Sequence, residues 1–343
     1  MADRIGKRPV TIVTGFLGSG KTTLLGRVLS EHSMANTAVL VNEFGEVGLD
    51  HHLLRRIDER TVLLGSGCVC CTTREDLVGA LLELLYMDEK HEIPRLDRVV
   101  IETTGLADPA PILYTIFTDP VLQHHFSVDL VITTVDAING FLHLDRNPES
   151  VKQVAAADKI VVTKTDIAEP SSVRGLLLRL GAINPSARIV EAAFGEVDIG
   201  ELFRPSEAGT PRASPAGEAG HPHDVDETHS VSVTFDGSID WTAFGIWFSM
   251  LLHARGEDVL RVKGLLDVGE AGPVVINGVQ HIIHPPEHLD EWPDEDRRSR
   301  IIFITKGIHA EELLGSLQAF GGLLRARPLP LHGGVERIVP AGA

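Results

Sequence analysis

From residue 10 to residue 204, short apolar runs alternate with longer stretches in which apolar residues recur every three or four positions. The runs Val10–Thr14, Ala38–Val41, Thr61–Leu64, Arg98–Glu102, Leu130–Val135, Lys159–Thr163 and Arg188–Val190 are too short for buried helices and predict strands. Between them, Thr22–Ser30, Glu75–Tyr86 and Val173–Leu180 carry helical spacing. Alternation at this density predicts an α/β fold, with a parallel sheet covered by helices on both faces. Functional groups then belong at the carboxyl ends of the strands.

The pattern stops at residues 205–228, which are rich in Pro, Gly, Ala and acidic residues and have no apolar period. This stretch predicts a flexible linker. Beyond it, His229–Asp236 alternates as a strand does, and Asp240–His253 reads as an amphipathic helix capped by Asp240. Further strands are expected at Val259–Val268, Val274–Ile283 and Arg300–Thr305, with a last helix at Ala310–Leu317. These elements predict a smaller C-terminal α+β domain. From Pro328-Leu329-Pro330 onward no structure is expected, because two prolines in three residues remove backbone donors. The expected layout is a first domain over 1–204, a linker over 205–228, a second domain over 229–330 and a tail over 331–343.

The phosphate-binding template G-x-x-x-x-G-K-[ST] is met by Gly15-Phe16-Leu17-Gly18-Ser19-Gly20-Lys21-Thr22, with Thr23 following. It lies between the first strand and the first helix, where such a loop belongs. Gly15, Gly18 and Gly20 let the backbone curl so that successive N–H groups, Ser19 among them, face phosphate oxygens. The helix N-terminus adds partial positive charge. Lys21 is expected at the β/γ-phosphates and the Thr22 hydroxyl on Mg²⁺. The chain is expected to bind a nucleoside triphosphate.

Thr163-Lys164-Thr165-Asp166 ends the strand Lys159–Thr163 and lies close to the guanine-reading box N-K-x-D. Asp166 can accept two hydrogen bonds from the guanine edge, which adenine cannot supply, while Lys164 packs along the base. A buried carboxylate left unpaired would reject adenine. Thr163 stands where Asn is usual and lacks the amide that braces the loop. A second carboxylate, Glu102, ends the strand Arg98–Glu102 and suits Mg²⁺ through water or an attacking water. Gly105, three residues on, offers its N–H to the γ-phosphate. Asn42–Asp50 follows the second strand, and its acids and glycines suit a loop ordered by Mg²⁺ and γ-phosphate.

All three cysteines fall in Cys68-Val69-Cys70-Cys71, after the third strand. Thiolates at this density suit Zn²⁺ or a related transition metal, and Glu46 or a His could complete the set. Cys68 and Cys71 also form a C-x-x-C pair, so redox chemistry stays open, as do inert buried thiols.

The ordered set GFLGSGKTT, NEFGEVGLD, GCVCC, ETTGLADP and TKTD, followed by Arg261-Val262-Lys263-Gly264 and Asn277-Gly278-Val279-Gln280, resembles the CobW family of P-loop GTPases. These are relatives of the nickel-insertion GTPases of urease and hydrogenase. The resemblance implies a GTPase using Mg²⁺, with Lys21 and Glu102 as catalytic residues and Lys164 and Asp166 on guanine. It implies a metallochaperone for zinc or cobalt that binds metal at Cys68, Cys70 and Cys71 with Glu46. It further implies a metal-requiring client protein, with the C-terminal domain as client-recognition or nucleotide-dependent homodimer module. Many members carry a His-rich run between the domains; here only His221, His223 and His229 remain. The alternative is a GTP-dependent metal or redox sensor that regulates a partner. A small-molecule P-loop kinase ranks below both, since it needs neither thiols nor a guanine box.

Composition narrows the partners. At 343 residues and 43% hydrophobic, the chain has the length and apolar content of a two-domain globular protein. A formal net charge of −17 argues against nucleic acid or an anionic membrane as the main partner. The apolar stretch Ala243–Leu252 is too short to span a bilayer, and Met1–Lys7 leaves no room for a secretory signal. A cytoplasmic protein is expected.

Overall fold

The computed structural model describes residues 6–31, 34, 36–41, 62–64, 74–193, 196–204 and 228–330, with backbone alone at 62–64 and 330. The first sheet is built from β1 (Arg8–Gly15), β2 (Thr37–Val41), β3 (Val62–Leu64), β4 (Arg98–Glu102), β5 (Phe126–Asp136), β6 (Lys159–Thr163) and β7 (Arg188–Glu191). All pair in parallel, in the order β3-β2-β4-β1-β5-β6-β7. Side chains alternate between two cores, as the pleat requires. Val10, Ile12, Val99 and Ile101 pack with the helices Arg74–Glu89 and Ala110–Thr118, whereas Val13, Val39 and Val100 pack with Lys21–Leu29. The expected α/β sheet with helices on both faces is the one formed. Its central strand β1 delivers the phosphate loop at its carboxyl end.

The C-terminal part is a seven-stranded antiparallel sheet: β8 (Thr228–Asp236), β9 (Val259–Leu266), β10 (Val274–Val279), β11 (Ile282–Ile283), β12 (Glu287–His288), β13 (Ser299–Lys306) and β14 (Arg327–Pro330). The expected strand Val274–Ile283 is a hairpin, β10 turning into β11 at Gln280 and His281. One face carries the helices Trp241–Arg255, Ala310–Ala319 and Gly321–Leu324 over a core of Val233, Phe235, Phe244, Trp247 and Phe303. Asp240 caps the first of these, accepting from the Ala243 N–H at 3.0 Å. The expectation that structure ends at Pro328 is corrected by β14, which pairs antiparallel with β8 over Arg327–Pro330 and so includes both prolines. An edge strand tolerates proline because half of its N–H groups face away from the sheet.

The sheet's other face rests on the first domain. Leu260, Ile302 and Ile304 cluster with Ala155 of the helix Pro148–Ala156, and Val279 and Ile282 join the core beneath Ala110–Thr118. The register between β9 and β13 shifts at Ile304/Thr305, leaving Leu260 as the extra residue of a bulge. That extra residue lets Leu260 and Arg261 both reach the first domain. Arg261 is buried and donates to the Ala156 carbonyl and to Asp158, and Lys263 lies 3.6 Å from the same carboxylate. Among the described residues no helix is long and apolar enough to cross a membrane.

Candidate functional site

The loop after β1 requires glycine at two points on steric grounds. A Cβ on Gly15 would stand 2.4 Å from the Thr134 carbonyl oxygen, and Gly15 itself has a φ of 141°. Gly20, at φ 92°, precedes the helix Lys21–Leu29 and turns the chain into it. The loop is bound to its neighbours through hydroxyls. Ser19 Oγ lies 2.6 Å from Thr134 Oγ1. Thr103 Oγ1 donates to Thr14 Oγ1 at 2.8 Å, fastening the end of β4 to the end of β1. Lys21 is buried, its ammonium donating to the carbonyls of Gly15 at 2.9 Å and Phe16 at 3.2 Å. It therefore lies along the inside of the loop.

Thr22 and Glu102, separated by 80 residues, meet directly: Thr22 Oγ1 donates to Glu102 Oε1 at 2.8 Å. A hydroxyl and a carboxylate side by side at the phosphate loop form the hard oxygen donor set that Mg²⁺ prefers. Gly105 follows on the same strand's exit loop. A Cβ there would stand 2.6 Å from the Leu17 N and Cδ2 atoms, so only glycine lets this loop lie against the phosphate loop. A cleft of about 1090 Å³ runs past these groups. It is lined by Gly18, Gly20, Lys21, Thr22, Thr23, Glu102, Gly105 and Lys164. On its far side stand Tyr114, Gln280 and His281. That volume accommodates a nucleotide.

The Thr163–Asp166 loop corrects one expectation. Thr163 does brace the phosphate loop: its hydroxyl donates to the Ser19 carbonyl at 2.7 Å, so a hydroxyl takes the place of the missing amide. Lys164 has a φ of 60°, the left-handed geometry that swings its side chain back to Asp136 at 2.8 Å. Asp166 is exposed, not buried. Selectivity against adenine would then arise when a base covers the carboxylate.

Asp136 went unnoticed in the sequence, although a carboxylate ending an apolar strand is a visible signal. Burial pushes its carboxyl up, but hydrogen bonds from Lys164, the Ile138 N–H and Asn139 outweigh that and hold it below the ordinary carboxylate range. An ionised Asp136 fixes Lys164 beside the loop. His143, whose ring lies 4.5 Å from that of Phe16, is pulled down mainly by burial. Gln153 was also missed; its amide donates to the Gly105 carbonyl at 3.2 Å and the Ala107 carbonyl at 2.9 Å. Glu46, Cys68, Cys70, Cys71 and the Asn42–Asp50 loop lie outside the described residues. Among the described residues, no three His, Cys, Asp or Glu side chains converge as a metal cluster.

Sheet order, phosphate loop and the paired Thr22 and Glu102 define a P-loop nucleotide-binding protein. The family model for the CobW/HypB/UreG nucleotide-binding domain matches residues 9–191, and that for the cobalamin synthesis protein cobW C-terminal domain matches 228–321. The chain belongs to the CobW family. It is 35% identical over 321 residues to the zinc chaperone YjiA of Escherichia coli strain K12, covering 92% of this chain and 98% of that protein. It is 30% identical over 359 residues to the zinc chaperone CobW of Pseudomonas aeruginosa, covering 92% of each. The structure of Zn(II)-bound YjiA GTPase from E. coli superposes with a TM-score of 0.71 at 30% identity, covering 92% of this chain and 99% of that one.

Proposed function

We propose that this chain is a cytoplasmic, GTP-hydrolysing metallochaperone that carries a transition-metal ion, zinc before cobalt, to a client protein that requires it. The chain is a GTPase, converting GTP and water to GDP and phosphate. The observation that carries the reading is the meeting of Thr22 with Glu102 beside Lys21, in a cleft that also holds Lys164. In this role Gly15, Gly18, Ser19, Gly20 and Thr23 cradle the phosphates with Lys21, while Gly105 offers its N–H to the γ-phosphate. Thr22 and Glu102 would hold Mg²⁺, whose charge would offset that developing on the transferred phosphoryl oxygens. Glu102 also orients the attacking water. Lys164 flanks the guanine and Asp166 accepts from its edge. The cargo metal belongs to Cys68, Cys70 and Cys71 with Glu46. The names of the relatives support zinc, and soft thiolates suit it. Residues 1–204 form the GTPase module and 229–330 the module that meets a client or a second copy.

The test is metal affinity, by competition with a chelating dye, in a non-hydrolysable GTP analogue and in GDP. A working switch gives about 5- to 150-fold tighter zinc in the triphosphate state. Cys70→Ser abolishes that difference. Equal affinities in both nucleotide states would sink the chaperone reading and leave a GTPase alone.

A further inference from the structure

Gln280 belongs to the C-terminal sheet yet stands in the wall of the nucleotide cleft. It occupies the β10–β11 turn with a φ of 53°, a left-handed geometry that glycine adopts at less cost. A non-glycine residue held there points to a use for its side chain. The side chain has one. Its amide donates to Asp108 Oδ2 at 2.6 Å, across a sequence separation of 172 residues.

Asp108 closes the loop that begins at Glu102. Its other oxygen accepts from the Ala110 N–H at 2.9 Å, at the start of the helix Ala110–Thr118, and Lys152 lies 3.4 Å from Oδ2, the oxygen that Gln280 reaches. Upstream in the same loop, Gly105 packs on Leu17 of the phosphate loop, and Gln153 holds the carbonyls of Gly105 and Ala107. The loop is thus fixed from the first domain by Gln153 and from the second by Gln280. The hairpin also grips the helix beyond the loop: the His281 ring lies 5.8 Å from Tyr114 and the His284 ring 4.4 Å from Phe117.

We infer that Gln280 is a positioning residue for GTP hydrolysis: through Asp108 the C-terminal domain sets where the Glu102–Asp108 loop stands against the γ-phosphate. A partner that moves the β10–β11 hairpin then alters turnover without touching nucleotide. This gives the Asn277–Gln280 segment, singled out in the sequence only as a resemblance, a physical task.

The inference rests on the GTPase reading, and it is tested on the full chain by steady-state GTP hydrolysis with thermal unfolding alongside. Gln280→Gly removes the amide while relieving the left-handed turn, so the unfolding midpoint holds or rises. Turnover falls about 10-fold with KM for GTP within about twofold, since the loop acts on the reacting phosphate and not on base or ribose. Gln280→Glu sets a carboxylate against Asp108 and lowers kcat likewise. Adding Asp108→Asn to it exchanges donor and acceptor and restores kcat to within about threefold of wild type. Unchanged or raised kcat in Gln280→Gly, or a double variant no faster than Gln280→Glu, overturns the inference and leaves the GTPase reading standing. Absence of GTP hydrolysis by the wild-type chain overturns both.

Discussion

At the scale of single residues, the site follows from which side chains can reach the phosphate loop. Lys21, Thr22 and Glu102 were legible because the loop template and a strand-end carboxylate fix their places. Asp136 and Gln153 were not, since their value depends on Lys164 and on loop carbonyls that only the fold brings near. Thr163 is the instructive case. Its hydroxyl donates both to Ser19, at 2.7 Å, and more weakly to the Val135 carbonyl at 3.4 Å. Thr163→Val keeps the shape and removes the donor, leaving a buried loop carbonyl without it. Stability in urea drops by about 1–2 kcal/mol, and GTP affinity weakens because the loop is less firmly held. A variant with wild-type unfolding and wild-type GTP competition would show that the hydroxyl is only a neighbour.

At the scale of elements, strands buried on both faces were easiest to locate, since an uninterrupted apolar run needs no partner to be recognised. β4 and β6 begin and end where the runs do. β5 is longer than its apolar run because Ser127 and Asp129 interrupt the pattern at its entry, before the strand is fully enclosed. The hairpin of β10 and β11 was read as one strand because Gln280 is not a residue that marks a turn. β14 was missed for a related reason: proline argues against strand only where its nitrogen would face a neighbour. In an antiparallel pair, alternate residues direct their N–H groups to the partner. Pro328 and Pro330 stand at one set of positions opposite Phe235 and Val233, and Arg327 and Leu329 at the other. Leu329→Pro therefore breaks the pairing and costs about 1–3 kcal/mol. Pro328→Ala changes stability by less than about 0.5 kcal/mol. Equal losses from the two substitutions, in urea unfolding followed by Trp fluorescence, would show that this strand's alternation is otherwise.

At the scale of the whole molecule, two sheets are fastened by one buried carboxylate. Asp158 and Arg261 lie 103 residues apart, and the β9 bulge turns Arg261 onto the docking face, so neither composition nor periodicity exposes the pair. Burial pushes the Asp158 carboxyl up from its ordinary 3.8, but Arg261, Lys263, the Val131 N–H and His284 together hold it below that value. Burial pulls the Lys263 ammonium down against the attraction of Asp158, while Arg261 hydrogen-bonds that carboxylate directly. A carboxylate with a lowered folded value stabilises the native state above its unfolded value and loses that contribution as pH falls through the folded one. Asp158→Asn leaves Arg261 buried without its counterion and costs about 3–5 kcal/mol near neutral pH. The deficit relative to wild type shrinks as pH drops from about 5 through the ordinary carboxylate value, because the unfolded wild-type chain takes up a proton there while the native Asp158 stays charged, and it stops shrinking once pH has passed the lower folded value. Asp158→Leu combined with Arg261→Met and Lys263→Met costs less than Asp158→Asn alone, since the buried Lys263 ammonium would otherwise lose the same counterion and the triple variant leaves no charge buried at this contact. The measurement is denaturant unfolding of the full chain at a series of pH values. A deficit that stays constant on acidification would show that Asp158 acts through its hydrogen bond to the Val131 N–H, at 3.0 Å, and not through charge.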